Sequence, residues 1–353
     1  MGVIFLSWSL LCKLHAGGSG FNTVVVVNQN SSNSCELGNY YCQYRGVPPG
    51  NLLRINWNGT NTLWTSNDFQ TNLVIPLLNM LAVSKLSNQI QFVVLSMDIP
   101  FQTSFGSTIN STTSALFYGL RLGNPSDTNS YAASEAALAT SAPVGAPGYS
   151  FLTTMITDGS LAQAEQLVAQ GVAGDYTHPQ QPVVLAKSSD PLRNIRYPYF
   201  DNAIFNVNIL GASSMIRTNS DLVWWPTSCL GFETGLAQFN VWQGGFVPGS
   251  IADSLTSTGG VIFGANSQTN LLAFINAGAA GSYGTVFEPG ADAQKFPNPQ
   301  VYFYQARGFS LAESYYQSIN LPYFGLSSVT RWHRLLPGPA MENGVQTFPR
   351  IRC

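Results

Sequence analysis

The sequence predicts an α/β protein, a doubly wound and mostly parallel sheet with helices on both faces, and three observations carry that prediction. Short β-branched runs, TVVVV at residues 23–27, IQFVVLS at 90–96 and PVVLA at 182–186, have the continuous apolar character of strands buried on both faces. Segments with helical periodicity and helix-capping residues lie between them. The alternation of the two, without heptads or an internal sequence repeat, points to parallel crossovers.

Taken in order, residues 23–27 predict a first strand, and a helix follows with Asn33 or Ser34 as its cap, an apolar face of Leu37, Tyr40, Tyr41 and Tyr44, and a stop at Gly46. Residues 51–57 complete a βαβ unit. A helix over 66–82 must kink or break at Pro76, which has no N–H to donate. Strand 90–96 leads to Met97-Asp98. Residues 102–148, rich in Ser, Thr, Asn, Gly and Ala, read as a polar insertion or flap, with a short helix at 134–139. A strand at 149–157, a helix at 161–171 and a strand at 182–186 follow; residues 203–209 fit a helix or a strand. In the segment 245–289 the pattern predicts a short helix over 250–256, a strand at 261–263, a helix capped by Ser267 and a strand at 283–287. Residues 21–327 then form one domain, preceded by a leader at 1–20 and followed by a tail at 328–353.

Only 9% of the 353 residues are Asp, Glu, Lys or Arg, against roughly 25% in an average soluble domain. With a net charge of −2 and no basic run, the chain lacks the electrostatic footprint that nucleic-acid binding needs. Outside the leader no uncharged apolar run approaches the ~18 residues of a membrane helix. The first residues are apolar and Leu14-His15-Ala16 precedes Gly-Gly, which fits a weak signal-peptide cleavage site; the missing positive charge fits a mis-assigned start. Five cysteines without a CxxC pair give no structural zinc pattern, so neither metal nor cofactor is expected. Cys35 and Cys42 lie two helical turns apart, about 10 Å along the axis, too far for a disulfide.

In open α/β sheets ligands collect beyond the carboxyl ends of the strands. The residues at those places are Asn28, Asn30, Asp98, Asp158, Lys187 with Asp190, and Glu288. Asp98, Asp158, Lys187 and Glu288 are the catalytic candidates, and Asn28 and Asn30 candidate binding residues. Each also has a structural reading, as a helix cap or a simple ion pair. Trp224 and Trp225, with Phe232, Phe239, Trp242 and Phe246, could stack on a sugar or peptide or pin a loop by aromatic packing. The GxSxG, Walker and HExxH motifs are absent. Gly278-Ala-Ala-Gly281-Ser-Tyr-Gly284 follows a predicted helix rather than a strand, so it reads as a turn and not a phosphate loop. A Cys-His dyad would have to join Cys229 to His178 or His333.

The blocks PGSIADSLTSTGG, AGAAGSYGTVFEP, KFPNPQVYFYQARGFSLAESYYQSI and LPYFGL, with VVVVNQNSSNSCELGNYYCQYRGVPPGNLLRINW near the start, give the chain a family resemblance over residues 22–327. It resembles an uncharacterised family of exported bacterial proteins that co-occur with the PEP-CTERM/exosortase sorting system. The resemblance implies a secreted or cell-envelope location and no particular reaction. More distantly the element order is similar to the caspase- and gingipain-like peptidases, which implies a catalytic His and Cys after adjacent strands. Here the His-Gly pair is missing and no Cys follows a predicted strand, which leaves Asp253 and Glu288, in the family blocks, for another role. After Gly325-Leu326 the text departs from the family, and Arg331, Arg334, Arg350 and Arg352 crowd a tail that reads as frameshifted. The expectation is a protein that binds or hydrolyses an extracellular polymer or peptide. The alternatives are a divergent or inactive cysteine-peptidase-like protein and a non-catalytic surface or scaffold module.

Overall fold

In the computed structural model, which describes residues 19–138, 147–211, 214–219, 221 and 228–329, the first apolar run forms β1 (Thr23–Asn28), buried along its whole length. Residues 1–18 of the expected leader at 1–20, Trp224, Trp225, His333 and residues 330–353 lie outside the described residues. Helix α1 (Ser32–Arg45) follows, capped by Ser31, whose side chain accepts from Ser34 N, and closed by Gly46 at φ 61°. The cap sits earlier than Asn33 or Ser34 because a tight turn, closed by Ser31 N donating to Asn28 O at 3.0 Å, starts the helix at once. β2 (Leu52–Ile55) and β3 (Leu63–Thr65) come next. Helix α2 (Ser66–Phe69), a π turn at Gln70–Val74 and α3 (Ile75–Val83) run on continuously. Pro76 is absorbed by that widened turn, since its ring crowds the preceding carbonyls and it has no N–H to donate.

After β4 (Phe92–Leu95) the Ser/Thr-rich stretch forms β5 (Gln102–Phe105), β6 (Thr108–Ser111) and α4 (Thr112–Tyr118). Every residue of α4 is buried, so this part belongs to the core and is no flap. Its hydroxyls pair with backbone carbonyls, Thr112 Oγ1 with Pro100 O at 2.8 Å and Ser114 Oγ with Gly325 O at 2.8 Å, which removes the penalty of burying polar text. The expected helix at 134–139 is not formed over residues 134–137, which are irregular backbone with a bend, and Leu138 alone has 3-10 helical conformation. β7 (Leu152–Met155), α5 (Leu161–Ala173), β8 (Val183–Lys187), α6 (Phe200–Leu210) and β9 (Met215–Asn219) follow. Residues 203–209 are thus helical.

The segment 245–289 departs most from expectation. Residues 250–256 are not a helix: β10 (Cys229–Thr234) is followed by β11 (Phe246–Ser254). Residues 261–263 form no strand, and α7 (Leu271–Asn276) starts after Asn270, not Ser267. β12 (Gly281–Thr285), α8 (Val301–Ala306), α9 (Leu311–Ser318) and β13 (Gly325–Val329) complete the order.

The strands form two main sheets rather than one. The first has the order β2-β1-β4-β7, all parallel; the second has the order β13-β12-β11-β10-β8-β9, parallel except for the antiparallel β12–β13 pair. A small sheet, β3-β5-β6, stands apart. The main sheets meet edge to edge at β7 and β13, where Ser328 Oγ donates to Met155 O at 2.9 Å. Both use one winding. In chain order the second strand lies outside the first, and the third and fourth cross to its other side. The sequence shows no repeat, yet the topology repeats. Helices cover both faces of the second sheet: Phe274 of α7 packs with Val184, Phe232 and Ala252, while Tyr302 of α8 lies against Gly231 on the opposite face. Among the described residues no helix is long and apolar enough to cross a membrane.

Candidate functional site

Parallel winding from β1 to β2 and back to β4 opens a crevice at the carboxyl ends of β1 and β4, the switch point of the first sheet. Asn28, the last residue of β1, is buried there and fastens three chain segments together. Its Nδ2 donates to Trp57 O at 3.0 Å and Asp98 O at 3.1 Å, and its Oδ1 accepts from Asn30 N and Trp57 N, both at 3.2 Å. All the hydrogen-bonding capacity of that amide is spent on backbone. Asn28 is therefore the frame of the crevice and not a group free to meet a ligand.

The neighbours of Asn28 carry the available chemistry. Asn30 Nδ2, with two hydrogens to donate, lies within hydrogen-bond reach of three acceptors, Asn56 Oδ1, Asn58 Oδ1 at 2.9 Å and Trp57 O at 3.2 Å. Asp98 sits at φ 58°, a left-handed conformation that aims its carboxylate back toward α1. There Oδ2 accepts from Ser31 Oγ at 2.6 Å, the same hydroxyl that caps α1. The cavity, about 370 Å³, is lined by Asn28, Asn30, Ser31, Trp57, Asn58, Gly59, Asn61 and Asp98. Trp57 is half-buried, its Nε1 donates to Thr60 O at 2.8 Å, and its ring meets Trp64 edge-on with centroids 5.5 Å apart. Gly59 has to be glycine for this ring to lie where it does, since a Cβ there would stand 2.2 Å from Trp57 Cζ2.

The other sequence-predicted residues do not join this cavity. Asp158 is buried beyond β7, where Oδ1 accepts from Gly159 N at 2.6 Å and Asn276 Nδ2 at 3.4 Å. Burial raises its pKa, and the two donors oppose that. Lys187 Nζ lies over the Tyr197 ring, 4.0 Å from its centroid, and Asp190 pairs with Arg193. Glu288 Oε1 accepts from Gly290 N at 2.8 Å beside a separate cavity of the second sheet. The candidates therefore divide: Asn28, Asn30 and Asp98 come together, whereas Asp158, Lys187 and Glu288 stand apart. Trp224 and Trp225 lie outside the described residues.

Sequence reasoning missed Ser31, Trp57, Asn58 and Asn61. The signal was there in WNGTN, which follows a predicted strand and carries both turn and ligand chemistry. It also missed a buried charge group in the second sheet. Glu233 of β10 and Asp253 of β11 are register partners, and both face Arg196. Arg196 Nη2 lies 2.6 Å from Asp253 Oδ1 and its Nη1 3.6 Å from Glu233 Oε2, with all three residues buried. Two acids share one base. Burial pushes Glu233 from 4.5 up to about 8 against the pull of Arg196, and burial likewise raises Asp253. Asp253, which the sequence pattern places in a short helix over 250–256, is instead a buried ion-pair partner on a strand.

Cys229, read from the sequence as part of a loop, starts β10 fully buried. Its thiol donates to Gly245 O at 3.3 Å, and burial pushes its pKa up to about 12. Among the described residues no group of three or more His, Cys, Asp and Glu side chains is placed to hold a metal ion. Comparison of the chain with protein-family models, with curated proteins and with solved structures finds no match in any of the three.

Proposed function

We propose that the chain is an exported binding protein that takes a polyhydroxylated extracellular polymer into the crevice between β1 and β4. The observation that carries the reading is the lining of that crevice, in which three exposed or half-buried asparagines, the Asp98 carboxylate and the Trp57 ring surround about 370 Å³ at a switch point. A sugar hydroxyl both donates and accepts, and the lining asparagine amides between them offer both functions, although Asn30 Nδ2 is already engaged by Asn58 Oδ1 and Trp57 O; the indole ring supplies an apolar wall for the C–H face of a sugar. Low charge fits a neutral ligand better than an anionic one.

Two features favour binding over hydrolysis. Acid-base cleavage of a glycosidic bond uses a pair of carboxylates, and Asp98 is the one carboxylate among the described lining residues. A cysteine-peptidase mechanism needs a thiolate, whereas Cys229 is buried and protonated at neutral pH. Export rests on the resemblance to the exosortase-associated family and on the sparse charge of the chain. The test is retention on insoluble cellulose, chitin and β-1,3-glucan, all uncharged, with Trp57→Ala and Asp98→Asn as variants. Wild-type retention on at least one polymer, lost in both variants while they stay folded, supports the reading. No retention on any polymer, or equal retention of wild type and variants, defeats it.

A further inference from the structure

The second sheet has a cavity of its own at its carboxyl edge, about 190 Å³, between the loops that leave β8, β11 and β12. A cavity of this size takes a single small molecule rather than a length of chain. Its chemistry is mixed in a particular way. Arg193 offers a cationic group: one terminal nitrogen is taken by Asp190, but its Nε is buried without a hydrogen-bond partner. Thr256, 1% exposed, likewise has a buried Oγ1 without a partner. On the same lining stands the Glu288 carboxylate, of which Oε1 accepts from Gly290 N. Leu255 and Phe296 are buried apolar walls, and Leu192, 65% exposed, leaves a large apolar side chain in water at the rim.

Each simple ligand class fails one of these features. An inorganic anion would satisfy Arg193 and Thr256 but meet the charge of Glu288. A metal ion would meet Arg193. An uncharged apolar molecule would leave two buried polar atoms unsatisfied. A molecule with a carboxylate, an ammonium and an apolar body close together answers all of them. We propose that this cavity binds a free α-amino acid with an apolar side chain: its carboxylate accepts from Arg193 Nε and Thr256 Oγ1, its ammonium pairs with Glu288, and its side chain lies against Leu192, Leu255 and Phe296. A terminal residue of a peptide presents only one of the two charges, so the free amino acid is the better match. The inference stands apart from the polymer reading, which concerns the other sheet.

Isothermal titration of the full chain with L-leucine, leucinamide, N-acetyl-leucine and Leu-Leu tests it. Leucine should bind, and the three derivatives, each lacking one charge or its placement, should bind at least tenfold more weakly, about 1.4 kcal/mol. Glu288→Gln, at an exposed position, should lose at least tenfold in leucine affinity and reduce the gap between leucine and N-acetyl-leucine. Thr256→Val should weaken leucine and N-acetyl-leucine alike. Trp57→Ala should bind leucine as wild type does, which separates this cavity from the first. The proposal is overturned if leucine does not bind at about 10 mM, if Leu-Leu binds more tightly than leucine, or if Glu288→Gln binds leucine unchanged with circular dichroism showing it folded.

Discussion

Replacing Arg196 by Met removes the one cation from a buried group that holds two acids. The guanidinium now meets Asp253 at 2.6 Å and Glu233 at 3.6 Å, and donates to Thr234 O at 2.9 Å and Pro297 O at 3.3 Å. Its loss leaves Asp253 without its ion-pair partner, beside a protonated Glu233, in a buried site, a change that costs about 3–5 kcal/mol. Against a total of about 5–15 kcal/mol this is a large share. Urea unfolding followed by tryptophan fluorescence should show the midpoint falling with an unchanged slope. The pH dependence gives a second, independent reading. Glu233 holds its proton up to about 8 when folded and to 4.5 in the ordinary state, so the folded chain binds more protons between these values. Its contribution is fully present below 4.5 and is lost as pH rises through about 8, at up to about 1.4 kcal/mol per pH unit. Asp253, also raised, acts in the same direction. Glu233→Gln removes much of that dependence, so wild type should lose stability relative to Glu233→Gln between about pH 6 and about pH 8.5. Parallel pH profiles for the two proteins, or a stable Arg196→Met, would refute the assignment of a shared buried charge.

Three further outcomes follow from local geometry. Ser31→Ala removes both the cap of α1 and the donor to Asp98; thermal unfolding should show a loss of about 0.5–2 kcal/mol, and polymer retention should fall with it. Gly38→Ala puts a Cβ 2.1 Å from Val27 Cγ1 between α1 and β1, and the overpacking should cost about 1–3 kcal/mol in urea unfolding, with little effect on leucine binding. In the folded protein Cys229 should resist a thiol reagent near neutral pH while half-buried Cys35 reacts, as mass spectrometry of the labelled protein would show; rapid labelling of Cys229 would contradict its burial.

Much of the first sheet was legible because its strands announce themselves. TVVVV and FVVL are buried on both faces, and no competing local preference obscures them. Much of the second sheet was not. β11 contains Pro248, Gly249, Asp253 and two serines, text that locally prefers a turn or a helix start, and it becomes a strand because β10 and β12 flank it and Arg196 satisfies its acid. β12 was legible only in part: the predicted strand at 283–287 overlaps it, but its first residues read as a glycine turn, and Gly284 is required where the strand passes Gly259, whose carbonyl carbon would lie 2.2 Å from an added Cβ. The division of the sheet in two escapes local reading altogether, since it turns on β13 returning antiparallel beside β12. For the crevice, the rule that ligands gather at strand ends found Asn28, Asn30 and Asp98. It could not tell that Asn28 is spent on backbone, because its Nδ2 reaches the distant Trp57 and Asp98 carbonyls, nor that Lys187 would rest on the Tyr197 ring, because the loop between them sets that contact.

Side-chain amide NMR tests most directly whether the crevice beyond β1 and β4 receives a polyhydroxylated ligand. Titration with a soluble oligomer of whichever polymer retains the protein should shift the side-chain amide resonances of Asn30, Asn58 and Asn61, which line the crevice, and leave those of Asn206 and Asn276, which lie on other elements, in place. Unmoved Asn30 and Asn58 resonances at saturation, or shifts centred on Asn206 or Asn276, would contradict the account.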